Sequence, residues 1–103
     1  MSMTYEQRVS ARERLYLLQL LNQDPDKSMT EYELKQSMQA LGQRMSGDAL
    51  KQQLRWLEAQ WLITVSNSTL VMTGMVIRLT ERGLDVALGT PFDGVEPARN
   101  EVL

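Results

Sequence analysis

The sequence predicts a mainly α-helical fold with a small antiparallel β-sheet. Three stretches before residue 62 carry apolar side chains at the spacing of an amphipathic helix. Each stretch begins after a serine or threonine of the kind that caps a helix N-terminus. From residue 62 onward the pattern changes to short β-branched runs, and one more short helix follows. A chain of 103 residues is long enough for one domain with its own core.

The composition excludes several classes of chemistry. The chain has no cysteine and no histidine, so it offers no disulfide, no Cys/His zinc site and no cysteine or histidine for catalysis. Its carboxylates are spread over helix caps and polar faces, and its glycines do not form a phosphate-binding loop. We therefore expect no enzymatic activity, no metal and no cofactor.

The charges are balanced over most of the chain. Basic and acidic side chains are equal in number up to residue 89, so the net charge of −2 arises after that residue. A nucleic-acid binder usually has a basic excess, and here a basic face would have to arise from the arrangement of a few side chains. The first residues lack the features of a signal peptide, and no apolar run is long enough for a membrane span. We expect a protein that works in the cytoplasm and does not bind membranes.

The first helix is predicted at about residues 4–22, where Thr4 and Gln7 have the spacing of a capping box. Apolar side chains cover more of its circumference than one buried face requires. Two explanations are open at this point. Either the helix forms a homodimer interface that includes Leu15 and Leu18, or another element of the same chain, such as the C-terminal tail, covers the surplus surface.

The second and third helices are predicted at about residues 31–41 and 47–61. Thr30 caps the second helix, Gly42 ends it, and Ser46 caps the third. The short glycine-containing link between the two suits the wide crossing angle of a helix-turn-helix pair. On the third helix the apolar side chains form a narrow stripe, which consists of Leu50, Leu54, Leu57 and Trp61.

A small antiparallel sheet is predicted over residues 62–79. Two β-rich runs, 62–66 and 69–72, are separated by Asn67 and Ser68, which indicates a hairpin with a two-residue turn. A second turn then leads into the last run of the sheet.

Thr80 caps a last helix, predicted at about residues 81–88. The order of three helices, a hairpin and a short helix is that of a winged helix-turn-helix, which we assign to residues 1–89. Residues 90–103 form an irregular, acidic C-terminal tail. The predicted core consists of Leu17, Leu20, Leu21, Leu34, Met38, Leu41, Leu50, Leu54, Leu57, Ile63, Val76 and Leu79.

Two local motifs support this architecture. The first covers the exit of the third helix and reads Leu50-x3-Leu54-x2-Leu57-Glu58-x2-Trp61-Leu62-Ile63. It resembles the same region of multiple-antibiotic-resistance and arsenical-repressor type regulators, which have a glycine where this chain has Trp61. The second, Leu79-Thr80-Glu81-Arg82-Gly83, resembles the motif that closes the wing in those regulators. The resemblance implies a winged helix and, by itself, no particular ligand.

A more specific resemblance begins in the last helix. Residues 79–89, followed by Gly94-Val95-x-Pro97, are similar to a small protein family of Mu-type phages and prophages, described as an arsenical-repressor-like winged helix. Phe92-Asp93 stands where other members tend to have a Val-Pro pair. The resemblance implies a phage or prophage origin and the cytoplasm of a bacterial host. It implies no activity.

The exposed arc of the third helix is the candidate DNA-binding site, since the second helix of a helix-turn-helix pair enters the major groove. Lys51 and Arg55 are placed to reach guanine edges or phosphates, and Gln52 to pair with adenine. Arg44 and Lys35 are candidates for contacts with backbone phosphates. This arrangement predicts sequence-selective binding of double-stranded DNA, in regulation or genome packaging.

Two features argue against DNA binding. Asp48 and Glu58 lie on the same arc and would repel phosphate, and the expected wing tip carries no lysine or arginine. In the alternative, the chain is a non-catalytic protein-interaction module that docks a phage protein. Trp56 lies outside the apolar stripe, so it either packs against the first helix or the sheet base, or serves as an exposed anchor for that partner.

Overall fold

The computed structural model of the chain describes residues 3–67 and 75–98. In chain order the elements are α1 (Tyr5–Gln23), β1 (Ser28–Thr30), α2 (Glu31–Ala40), α3 (Gly47–Ala59), β2 (Ile63–Asn67), β3 (Met75–Leu79) and α4 (Glu81–Ala87). The fold is a winged helix, mainly α-helical with a small antiparallel sheet, as the sequence predicts. None of the helices in the described ranges combines the length and apolar character that a membrane span requires.

The helix starts follow the predicted caps. The Thr4 hydroxyl accepts a hydrogen bond from the Gln7 amide, and the Gln7 side chain accepts one from the Thr4 amide. The predicted capping box of α2 and the Ser46 cap of α3 are formed in the same way. These caps satisfy amides that have no partner within the helix, so each helix begins where its sequence signal lies.

The sheet has three strands in the order β1-β3-β2. The sequence analysis missed β1, because a strand of three residues is too short to show a periodic pattern. Lys27, with a φ of 56°, precedes this strand, and its carbonyl accepts a hydrogen bond of 2.8 Å from the Leu79 amide. Ser28 then pairs with Arg78, which joins the region between α1 and α2 to the wing sheet.

The predicted two-residue turn at Asn67 and Ser68 is wrong in its position. Asn67 is the last residue of β2 and pairs with Met75, so the direct partner of β2 is β3. Asn-Ser is a weak turn signal, and pairing with the strongly apolar β3 prevails over it. The predicted run at 69–72 lies outside the described residues.

The core agrees with the prediction at all positions except Leu41 and Val76. Leu41 is the C-cap of α2 and is 51% exposed, because the chain turns away from the core at this residue. Val76 is half-buried, since it pairs with Thr30 and Ser66 on the sheet face opposite to the buried Ile77.

Trp61 was predicted on the buried stripe of the third helix, and this is wrong. The helix ends at Ala59, and Trp61 is 71% exposed with a φ of 60°. The Trp61 amide donates to the Glu58 carbonyl and the Leu62 amide to the Leu57 carbonyl, which is the hydrogen-bond pattern of a Schellman cap. Trp61 therefore occupies the left-handed position in which related regulators have glycine.

The surplus apolar surface of α1 is covered within the chain. Leu15 and Leu18, expected at a homodimer interface, are buried in the chain's own core. α4 packs along α1, and Val95 of the C-terminal segment is buried in the same core. The Glu96 amide also donates to the Ala11 carbonyl at 3.1 Å. The open alternative, coverage by the tail, is the one that the structure shows.

Candidate nucleic-acid interface

α3 has one buried and one exposed face. Its buried side chains are Leu50, Gln53, Leu54 and Leu57. Lys51, Gln52 and Arg55 are exposed, as expected for residues that lie away from that stripe. The helix therefore presents polar and basic groups outward from a fixed apolar base.

A groove separates the exposed part of α3 from the wing sheet. Its walls are Lys51, Arg55 and Glu58 from α3, with Leu54 beneath them, and Val65 and Met75 from the sheet. The groove volume is about 330 Å³. Lys51 and Arg55 are four residues apart, so about one helical turn of roughly 6 Å separates them along the axis. The two cations thus lie together between the helix and the wing.

The other predicted DNA contacts are not part of this groove. Gln52 lines a depression on the other side of α3, together with Glu13 and Arg14 of α1. Lys35 is exposed within α2, and Arg44 is exposed in the link between α2 and α3. The structure brings Lys51 and Arg55 together and leaves the other three on separate parts of the surface.

Two carboxylates lie at the ends of the exposed arc. Asp48 is in the first turn of α3, where the helix dipole favours a negative charge. Glu58 is in the last turn and lines the groove beside Arg55. The basic pair is therefore bounded by negative charge at both ends of the helix, which restricts favourable phosphate contacts to its central part.

Trp56 packs within the chain. The guanidinium carbon of Arg14 on α1 lies 3.9 Å from the centre of its ring, a cation–π contact. Phe92 meets the same indole edge to face, with ring centres 6.3 Å apart. The expected packing against the first helix is present, with Phe92 in place of the sheet base. Trp56 is half-buried and so is not the free anchor that the alternative assumed.

A polar cluster on the back of α3 was missed by the sequence analysis. The Arg14 Nε donates to the Gln53 Oε1 at 2.8 Å, and the Arg14 Nη1 donates to the Gly94 carbonyl at 2.9 Å. The Gln53 Nε2 donates to the Glu13 Oε1 at 3.1 Å. Burial lowers the pKa of Arg14, and the adjacent Glu13 opposes this effect. The available signal was Gln53 itself, a polar residue within the apolar stripe of Leu50, Leu54 and Leu57.

The motif at the start of α4 has a packing role. The Thr80 hydroxyl accepts a hydrogen bond from the Gly83 amide and donates one to the Trp61 carbonyl. A Cβ on Gly83 would collide with the Leu62 carbonyl oxygen. The Leu-Thr-x-x-Gly pattern thus joins α4 to the junction between α3 and β2, and it contributes no group to the groove.

Comparison of the sequence with known proteins identifies a relative. Over 77 residues the chain is 38% identical to the uncharacterized protein gp26 of Escherichia phage Mu, and the match covers 74% of this chain and 75% of gp26. The chain belongs to the gp26 family. No protein-family model matches the sequence. The predicted resemblance to a Mu-type phage protein is confirmed by this relationship.

Solved structures show the fold of the gp26-family chain in transcriptional regulators. AbsC, a MarR family regulator from Streptomyces coelicolor, superposes with a TM-score of 0.63 at 21% identity, covering 73% of this chain and 47% of AbsC. ZitR of Lactococcus lactis gives 0.60 at 24% identity over 74% of this chain and 47% of its own. The adhesin competence repressor AdcR of Streptococcus pyogenes gives 0.58 at 22% identity over 74% and 51%. The chain spans about half the length of these regulators, and the arsenical-repressor subtype stays a prediction.

Proposed function

We propose that this gp26-family protein binds double-stranded DNA with α3 in the major groove. The observation that carries the proposal is the pair of exposed cations, Lys51 and Arg55, on the groove side of α3. In a helix-turn-helix, the helix that follows the turn is the one that reads base edges. Arg55 is the candidate for the edge of a guanine, and Lys51 for a guanine or a neighbouring phosphate.

The other predicted contacts extend this site. Gln52 is the candidate for an adenine next to the Arg55 base, and Lys35 and Arg44 for phosphates on either side. Each of these side chains is exposed. The similarity to structures named as transcriptional regulators supports this assignment at the level of the fold. The phage Mu relative supports a role in a Mu-type phage or prophage, in regulation or genome packaging, in the cytoplasm of a bacterial host.

The balance of charge limits the expected affinity. Phosphate neutralisation supplies most of the binding free energy of non-specific complexes, and here Asp48 and Glu58 offset the two cations on α3. We therefore expect binding that is weak at physiological salt and strong only at low salt. A target sequence adds affinity through the base contacts of Arg55 and Gln52.

A gel shift against fragments of a Mu-type phage genome tests the proposal. At about 50 mM salt, we expect a shift at micromolar protein, since non-specific binders have dissociation constants near 10⁻⁴–10⁻⁶ M even at physiological salt. Arg55→Ala should weaken the shift. Arg8→Ala removes an equally exposed arginine from α1, far along the chain from α3, and is the matched control. No shift with tens of micromolar protein would contradict the proposal.

A protein-interaction module is the second candidate, and Trp61 is the observation that favours it. The indole is 71% exposed, and tryptophan is enriched among the residues that dominate protein interfaces. A phage protein or a second copy of the chain would be the partner in this case. Trp61→Ala would then abolish the interaction, and Arg55→Ala would leave it unchanged.

A further inference from the structure

We propose that Arg14 is a positioning residue for α3, and that residues 92–95, here called the clamp segment, hold Arg14 and Trp56 in place. Together they fix the orientation of α3 from the side opposite to Lys51 and Arg55, without touching DNA. This inference rests on the proposed DNA binding through α3. It adds a function for α1 and for the C-terminal segment in that binding.

Arg14 connects three parts of the chain. Its Nε donates to Gln53 of α3 at 2.8 Å, its Nη1 donates to the Gly94 carbonyl at 2.9 Å, and its guanidinium lies 3.9 Å from the centre of the Trp56 ring. The planar guanidinium group suits this role, because it donates in fixed directions while its face stacks on an aromatic ring. A flexible ammonium group would not satisfy the three contacts together.

Gln53 and Trp56 form the part of α3 that is held. Gln53 is only 7% exposed, and its amide uses both ends, accepting from Arg14 and donating to Glu13 at 3.1 Å. Trp56 follows three residues later, so the two side chains are neighbours on one face of the helix. Lys51 lies two residues before Gln53, which places it about 200° away around the axis. A rotation of α3 is therefore resisted on one face and would displace the basic groups on the other.

The clamp segment is itself built to fit the Trp56 ring. Gly94 has a φ of +93°, and a Cβ at this position would lie 2.6 Å from the Cζ2 of Trp56. Phe92 packs edge to face on the same ring, and Val95 is buried. The next residue, Glu96, donates its amide to the Ala11 carbonyl of α1 at 3.1 Å. The segment is thus anchored on α1 at one side and closes over Trp56 at the other.

The consequence concerns DNA affinity. A binding helix that is held in one orientation loses less freedom when it enters the groove, and its base contacts keep their geometry. Loosening the clamp should reduce affinity by about fivefold to tenfold, the range for residues that act through others. It should leave the salt dependence of binding unchanged, because no phosphate contact is removed.

Four variants test the proposal, compared by fluorescence anisotropy with labelled double-stranded DNA at a temperature where all of them are folded. Arg14→Met removes the donors and the charge, and Arg14→Lys should restore part of the affinity through the retained cation–π contact. Gly94→Ala forces the Trp56 ring away. Gly89→Ala is its matched control, since Gly89 also has a positive φ of 126° but no atom within 4 Å of an added Cβ.

We expect Arg14→Met and Gly94→Ala to lose affinity at an unchanged salt slope, while Gly89→Ala binds like the wild type. Wild-type affinity in folded Arg14→Met and Gly94→Ala would overturn the positioning role and leave the proposed function intact. If the wild type itself binds no DNA, the proposed function fails. Hydrogen exchange then decides on the clamp, with faster exchange of α3 amides in Gly94→Ala than in Gly89→Ala supporting it and equal exchange contradicting it.

Discussion

Gly83 of α4 lies directly against the backbone carbonyl of Leu62, with no room for a side chain between them. The contact brings the start of α4 onto the junction between α3 and β2. The Thr80 amide completes this junction by donating to the same Leu62 carbonyl at 3.1 Å. A motif that looks like a family signature in the sequence is therefore a packing requirement of the fold.

Gly83→Ala should destabilise the protein by about 1–3 kcal/mol, because the added methyl group forces α4 away from a backbone atom that cannot yield easily. Gly47→Ala is the matched control. Gly47 is also helical, but nothing lies within 4 Å of an added Cβ, so this change should stabilise α3 by roughly 0.5–1 kcal/mol. Urea unfolding of both variants measures the difference. Equal stability of the two would refute the packing role of Gly83.

Trp61→Gly should increase stability, because Trp61 has the left-handed backbone that glycine adopts without strain. The relief of about 1–2 kcal/mol is partly offset by the larger unfolded-state entropy of glycine, roughly 0.4–1 kcal/mol. A net gain of about 0.5–1 kcal/mol should raise the Tm by roughly 2–8 °C.

Trp61→Ala separates this effect from the loss of the indole. Alanine removes the exposed ring but keeps the strained backbone, so its Tm should stay below that of Trp61→Gly. Thermal unfolding of the two variants side by side is the measurement. A Trp61→Gly protein that is no more stable than Trp61→Ala would show that the backbone at this position carries no strain.

Leu18→Ala should cost about 2–5 kcal/mol, the usual range for a leucine in a packed core, because Leu18 is fully buried within the chain. The loss should not depend on protein concentration, since the contacts are internal. Leu41→Ala, at a position that is 51% exposed, should cost far less. Thermal unfolding across a wide range of concentrations checks both points. A cost for Leu18→Ala that depends strongly on concentration would return Leu18 to an interface between copies.

The sequence was most informative where a signal is local. The caps at Thr4, Thr30, Ser46 and Thr80 and the apolar stripe of α3 depend on residues three or four apart, and they predicted the helices within one or two residues. The exposed positions of Lys51, Gln52 and Arg55 followed from the same periodicity.

The features that the sequence analysis missed depend on distant residues. β1 exists because Ser28 pairs with Arg78, which lies far along the chain. The contacts of Arg14 span 39 residues to Gln53 and 80 residues to Gly94, beyond the reach of any periodic pattern. The same holds for the cover over Leu18, which only the packed chain reveals. Trp61 was placed on the buried stripe because a tryptophan does not indicate a left-handed helix cap.

The salt dependence of DNA binding tests the central claim most directly. Anisotropy titrations between about 50 and 200 mM salt should give a steep negative slope of log K against log salt, with roughly 0.9 for each phosphate contact. In Lys51→Ala/Arg55→Ala the affinity should fall, and the slope should decrease by about 1–2 if these cations neutralise phosphates. An Arg8→Ala/Arg78→Ala protein, which loses two exposed cations outside α3, should keep the wild-type slope. No binding at low salt, or a slope that changes equally in both double variants, would contradict DNA recognition by α3.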